Sequence, residues 1–171
     1  MQSKTSENSK TTTTDIVLPG DTNSINNLFG GELLARMDKV ASISAKRHAE
    51  QIVVTSVINN VIFSKPIPSA SVLILEAKVS RAFGTSMEVY IDVWVESLEH
   101  QVLTKVNEAI FTFVAVDIKG KPVKVPQLKP ESELEIKRYN GALRRRQLSL
   151  VLAGKLSPNE ATELKALFEQ K

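Results

Sequence analysis

Asp38 is a carboxylate set among small and apolar residues. From Glu32 to Ala49, Gly31, Leu34, Asp38, Ala41 and Ala45 recur at intervals of three or four residues, the spacing of one helix face. Glu32, Arg36, Lys39, Lys46, Arg47 and Glu50 fall on another face. A carboxylate on an apolar face is costly to bury unless it is paired. Two readings stand side by side. Asp38 lies at the border of the face and meets solvent or a neighbour such as Arg36 or Lys39, or it points into a cleft and acts as a general base or nucleophile. Phe29-Gly30-Gly31 immediately precedes the helix. A helix N-terminus presents unpaired N–H groups and partial positive charge, and glycine there admits a ligand close to the backbone. A carbonyl oxygen becoming an oxyanion would be stabilised at that place. Gly30-Gly31 also reads as a plain turn. Asp38 follows on the face of Gly31 about two turns along, roughly 10 Å by helix rise, so a substrate whose carbonyl lies along the face could meet both groups.

The elements that position these groups follow from periodicity. After the helix the period becomes two. Gln51 to Phe63 is rich in β-branched residues, Ser71 to Phe83 and Thr85 to Ser97 alternate, and Val102 to Asp117 is apolar nearly throughout in IFTFVAV, the mark of a central strand. Lys65-Pro66-Ile67-Pro68, Gly84, His100-Gln101 and Asp117 to Gly120 separate them, and Asp117 reads as a turn residue. Thr12 to Leu18 reads as a short strand before Pro19-Gly20. Short turns between consecutive strands require an antiparallel sheet. One helix of about five turns against a curved antiparallel sheet predicts an α+β hotdog arrangement. An open sheet edge predicts pairing into a dimer. Residues 1–11 are polar and read as a disordered tail. Residues 12–126 form the hotdog domain, and 127–171 a helical extension with helices at Glu131 to Arg146 and Pro158 to Gln170. Ser157-Pro158-Asn159-Glu160 carries the residues of a helix start.

Composition narrows the function classes. The 171 residues suit one domain and contain no cysteine, which excludes disulfides, a thiol nucleophile and a Cys-ligated zinc site. No other metal site is expected. A net charge of +3 argues against nucleic acid as the main partner. The N-terminus carries no secretory pattern and no stretch approaches a membrane span, so a cytoplasmic protein with no membrane partner is expected.

DTNSINNLFGGELLARMD, from Asp21 to Asp38, resembles the signature of the hotdog acyl-CoA thioesterases of the acyl-CoA hydrolase branch. In that family an Asn, a loop, Phe-Gly-Gly and an Asp preceded by Met or a similar residue follow one another. Here these are Asn23, Phe29-Gly30-Gly31 and Met37-Asp38. The similarity continues in VVTSVINNVIFSKPI (Val53 to Ile67), GTSMEV (Gly84 to Val89) and FTFVAVDIKGKPVKVP (Phe111 to Pro126). It spans about residues 15–146, and agreement of four separated segments is specific where one alone would be weak. The resemblance implies hydrolysis of acyl-CoA to a free acid and CoA. CoA is then part of substrate and product, and no cofactor is needed. It implies Asp38 as the catalytic carboxylate, Asn23 as the residue orienting water or the substrate carbonyl, and the backbone at Gly30 and Gly31 as the oxyanion site. It implies Thr55 as a polar residue supplied across the dimer, and a trimer of dimers as the assembly. Thr55 also reads as a strand residue chosen for β propensity. For CoA it implies the loop Gly84, Thr85 and Ser86. Arg81 precedes that loop and suits a phosphate, as do Arg144 and Arg145 of the cluster Arg144-Arg145-Arg146, which also reads as a solvated helix end. Where the family often has His after the first Asn and Gly before Phe-Gly-Gly, this chain has Ser24 and Asn26. Asn tolerates the left-handed backbone that such a turn needs.

Other readings are weaker. A hotdog dehydratase needs a catalytic His, whereas His48 sits late on the helix, His100 lies in a turn, and both read as surface histidines. A non-catalytic acyl-CoA-binding regulator needs an attached DNA-binding or signalling module, and neither end of the chain resembles one. A structural dimer with no ligand has no use for Phe-Gly-Gly combined with Asp38.

Overall fold

A computed structural model of the chain describes residues 2–97 and 102–169. The turn expected at His100 and Gln101 lies outside them. The chain divides into two compact units, Met1–Lys129 and Pro130–Lys171.

The first unit holds, in chain order, β1 Lys4–Thr5, β2 Thr11–Ile16, α1 Gly30–Ala49, β3 Ile52–Phe63, β4 Val72–Phe83, β5 Ser86–Ser97, β6 Val102–Val116 and β7 Leu128–Lys129. Five strands form one antiparallel sheet in the order β2-β4-β5-β6-β3, while β1 and β7 pair in parallel apart from it. The apolar run read as central is β6, flanked by β5 and β3. Alternation decides which side chains enter the core. Leu73, Leu75, Ala77 and Val79 of β4, Met87, Val89, Ile91 and Val93 of β5, and Ala109, Phe111, Phe113 and Ala115 of β6 are all buried. Leu33, Met37, Val40, Ala41 and Ala45 of α1 complete this core, with α1 lying across β3 to β6. The expected hotdog arrangement is thus present.

α1 begins at Gly30, two residues earlier than its apolar period indicates. Phe29 is its extended N-cap, so the two glycines form the first helical turn rather than precede it. The first turn lacks inward-facing side chains, so periodicity does not register it. The helix closes at Glu50, whose φ of 53° is left-handed.

The reading of the N-terminal residues is corrected. The polar tail expected to be disordered carries structure: Ser9 Oγ accepts the Val79 N–H at 2.9 Å and donates to the Ser6 carbonyl at 2.7 Å, with both serines buried. Lys4 Nζ donates to the carbonyls of Arg47 (3.0 Å) and His48 (2.9 Å) and pairs with Glu50 at 2.8 Å. A cation at a helix C-terminus complements its unpaired carbonyls. Composition misleads here because short polar side chains bond backbone rather than water.

In the second unit, α2 spans Glu133–Leu152 and α3 spans Thr162–Glu169. Ser132 and Glu135 form a capping box on α2. The helix runs six residues beyond Arg146, because no Gly or Pro stands between Arg146 and Gly154. The start expected at Pro158 is not a helix start. Ser157 and Glu160 use their side chains on each other's turn, with Ser157 N–H donating to Glu160 Oε2 at 3.1 Å and Asn159 N–H to Ser157 Oγ at 3.3 Å. α3 begins later, where Gln147 Oε1 of α2 accepts the Leu164 N–H at 2.9 Å.

Candidate active site

Asp38 sits half-buried at the border of the apolar face of α1, between buried Met37 and Ala41. Its partner is neither Arg36 nor Lys39. The Thr55 hydroxyl, on β3, donates to Asp38 Oδ1 at 2.8 Å. Thr55 pairs with buried Phe113 in register, which turns its side chain toward the helix, and a β-bulge follows between Thr55 and Val57. Bulges beside functional groups re-aim the strand. The bond between Thr55 and Asp38 is made within one chain, where the resemblance implied a contribution across a dimer. A hydroxyl donating to one carboxylate oxygen fixes the group's orientation and leaves the other oxygen to accept a proton.

Asn23 stands in a closed loop before α1. Its N–H donates to the Asn27 carbonyl at 2.8 Å, and its Oδ1 accepts the N–H groups of Ile25 (3.1 Å) and Asn27 (3.2 Å). Asn26 has a φ of 57°, the left-handed conformation expected of it. With Oδ1 spent on the turn, the amide NH2 is what Asn23 offers to a ligand. Asn23 and Gly30 line one recess of about 370 Å³ with Asn27, Phe63, Lys65 and Asn107. Phe29 provides no side-chain cap, so the N–H groups of Gly30 and Gly31 lack an acceptor from it. A Cβ on Gly30 would meet the Phe63 ring at 3.4 Å, so the first turn of α1 lies directly under that ring. Phe63 and Lys65 read in the sequence only as a strand end and a breaker, and nothing in their spacing marked them.

The Asp38–Thr55 pair and the recess of Asn23 and Gly30 are therefore separate places on this chain. Gly30 and Asp38 are eight residues apart on one helix, about 12 Å along its axis. A reacting carbonyl must lie about 3 Å from both its attacking group and its oxyanion donors. One carbonyl cannot span the two within a single chain, which corrects the expectation that a thioester along this face meets both.

Of the residues read for CoA, Gly84 and Thr85 form the two-residue turn joining β4 to β5, with Gly84 at φ +74°. Their carbonyls accept the N–H groups of Val125 (2.8 Å) and Ala115 (2.9 Å), which holds the turn rigid. Ser86 is buried, and the Arg81 guanidinium stands 5.5 Å from the Phe83 ring centroid. The arginine cluster is not a solvated helix end. Arg144, Arg145 and Arg146 are half-buried, Arg145 donates to the Arg138 carbonyl at 3.1 Å, and Arg144 Nε is buried without a partner. Burial holds the Arg146 guanidinium below its usual range. His48, expected at the surface, is fully buried, with Nε2 2.8 Å from the Pro126 carbonyl. Burial pushes its pKa down, against the bond to Pro126. Asp117 is a turn residue as read, its Oδ1 accepting the N–H groups of Lys119 (2.8 Å) and Lys121 (2.9 Å).

A helix laid across a curved antiparallel sheet, with a carboxylate at mid-helix and uncapped glycines at its start, defines a hotdog thioesterase. The description of the Thioesterase superfamily matches residues 25–100. The chain is 42% identical over 137 residues to an uncharacterized acyl-CoA thioester hydrolase of Bacillus subtilis, covering 80% of each. It resembles the acyl-CoA hydrolase of Staphylococcus aureus, solved with butyryl-CoA and CoA, at 34% identity and a TM-score of 0.83 over 89% of this chain and 94% of that one. A hexameric acyl-CoA thioesterase matches at 39% identity and a TM-score of 0.86 over 90% of this chain and 98% of that one. The chain belongs to the acyl-CoA hydrolase branch of the thioesterase superfamily. The Staphylococcus aureus enzyme has also been solved with alanine in place of an asparagine, an aspartate and a threonine, spaced by 15 and 17 residues. Asn23, Asp38 and Thr55 have the same spacing.

Proposed function

We propose that this chain hydrolyses acyl-CoA thioesters to a free carboxylic acid and CoA, at a site built from the Asp38 half of one copy and the Asn23–Gly31 half of another. Asp38, oriented by Thr55, takes a proton from water as the water oxygen bonds to the thioester carbonyl carbon. The N–H groups of Gly30 and Gly31 receive the oxyanion, with the Asn23 amide orienting the carbonyl or the water. The C–S bond then breaks, CoA leaves as thiolate, and the proton on Asp38 goes to its sulfur. The residues that act are a carboxylate, a hydroxyl, an amide and backbone, so the proposed chemistry needs no cofactor. The observation that carries the reading is the 2.8 Å bond between Thr55 and Asp38.

The sharing of the site follows from the sheet. β3 is an edge strand, and Ile52, Val54, Ile58, Ile62 and Phe63 along it are 42–54% exposed. An unpaired apolar edge is a template for a second copy, and a two-fold axis joins edges antiparallel. Two such copies run their α1 helices in opposite directions, which brings the N-terminus of one towards the middle of the other. Hexameric relatives support a trimer of such dimers. For CoA, the Thr85 hydroxyl and the open face of Gly84 are free to approach the pantetheine. Arg81 supplies positive charge for its phosphates. No described helix is long and apolar enough to cross a membrane. The highly charged substrate does not cross a bilayer unaided, so the proposed setting is the cytoplasm.

Thiol release from acyl-CoAs, acetyl to palmitoyl, by the wild type and Asp38→Ala tests the reading. The expected result is turnover by the wild type and a loss of about a hundredfold or more in the variant. Binding without turnover by the wild type would point instead to an acyl-CoA-binding regulator.

A further inference from the structure

Arg36 lies two residues before Asp38 on the polar face of α1, yet its side chain is only 19% exposed. Its guanidinium spans three elements. Nε donates to Asp15 Oδ2 on β2 at 3.1 Å, and Nη2 donates to Asp21 Oδ2 at 2.7 Å. Nη1 stands 3.7 Å from the Glu32 carboxylate, an ion pair within the helix but too long for a hydrogen bond. Asp21 is the foot of the loop that carries Asn23. Its carbonyl accepts the Phe29 N–H at 2.9 Å and its Oδ2 accepts the Leu18 N–H at 3.1 Å. Thr22 bridges Leu28, and Asn23 bonds Asn27. The loop is thus zipped shut above Asp21, and Asp21 is tied to the helix through Arg36. Phe29, the far end of the same zip, is the N-cap of α1.

We propose that Arg36 is a positioning residue for the reaction: it holds the Asn23 loop in register with the start of α1, and so sets where the Asn23 amide stands. This rests on the reading that Asn23 serves hydrolysis. Guanidinium chemistry is required, because two carboxylates on separate elements are held by two different N–H edges of one planar group. A lysine at this position reaches one of them at a time.

Steady-state kinetics of Arg36→Lys, in the wild-type and Asn23→Ala backgrounds, separates positioning from plain stabilisation. The substrate is the acyl-CoA that the wild type turns over fastest. A residue that acts through Asn23 loses its effect once Asn23 is gone, whereas a structural residue adds its loss in both backgrounds. The expected result is a kcat lower by about tenfold with KM within about twofold in the wild-type background, and less than about twofold change in kcat in the Asn23→Ala background. Equal losses in the two backgrounds, or an unchanged kcat in the first, overturn the proposal. Asn23→Ala alone distinguishes the two levels: full activity there overturns the role of Asn23 itself and the proposal with it. Asp21→Asn keeps an acceptor for Leu18 and removes only the charge facing Arg36. It is expected to reproduce the Arg36→Lys pattern with an unchanged melting temperature, and it answers the question if Arg36→Lys does not fold.

Discussion

Among the described residues, the hydroxyl of Thr55 is the hydrogen-bond donor to the Asp38 carboxylate, and its chemistry sets a clear expectation. Thr55→Val removes a hydrogen bond to a charged group and is expected to lower kcat by about tenfold or more, since such bonds contribute about 1.5–3 kcal/mol where solvent does not screen them. Thr55→Ser keeps the hydroxyl and retains most of the activity. Comparing the two kcat values checks this. Asp38 was legible from its own setting, because a carboxylate on a Gly, Leu and Ala face demands a partner or a purpose. Thr55 was not, since a threonine in a strand is ordinary by propensity and only the family pattern singled it out. Arg36 was invisible in a different way. On a helical wheel it belongs to the solvent face, and only the approach of Asp15 and Asp21, 21 and 15 residues earlier, turns it into a clamp.

The α1 helix shows the same division. Its existence and its end followed from the 3.6-residue period, and the four long strands from the period of two. The face read as apolar meets the buried one only at Ala41 and Ala45, because Leu33, Met37 and Val40 carry the helix's side of the core. What periodicity could not supply was where side chains spend their hydrogen bonds. The Ser157–Glu160 capping pattern forms a turn, and the polar residues Ser6 and Ser9 are buried partners rather than a solvated tail. His48 is the case with a measurable consequence. It is buried at the end of α1, and its folded pKa is lowered. The unfolded chain therefore binds a proton more readily than the folded one. The stability that neutral His48 contributes is complete above its unfolded pKa of about 6.5 and is lost as pH falls below it. The melting temperature is expected to decline from pH 8 to pH 5, and to decline less in His48→Gln, which can still donate to the Pro126 carbonyl. Equal pH dependence in the two proteins would remove His48 from this account.

At the scale of the whole molecule, the open sheet edge was legible in the sequence, but the separation of the two groups along α1 was not. Linear spacing put Gly30 and Asp38 on one helix and suggested that one substrate meets both. Helix rise separates them by about 12 Å, and the recess that Gly30 shares with Asn23 does not include Asp38. On the proposed mechanism the two halves meet across copies. Mixing Asn23→Ala with Asp38→Ala, after dissociation and reassembly, tests this most directly. Random pairing of equal amounts makes half of the dimers mixed, and each mixed dimer has one intact site of two, so about a quarter of wild-type activity is expected, well above the residual rates of the two impaired parents. A mixture that stays as impaired as its parents, with mixed dimers demonstrably present, would contradict a site shared between chains.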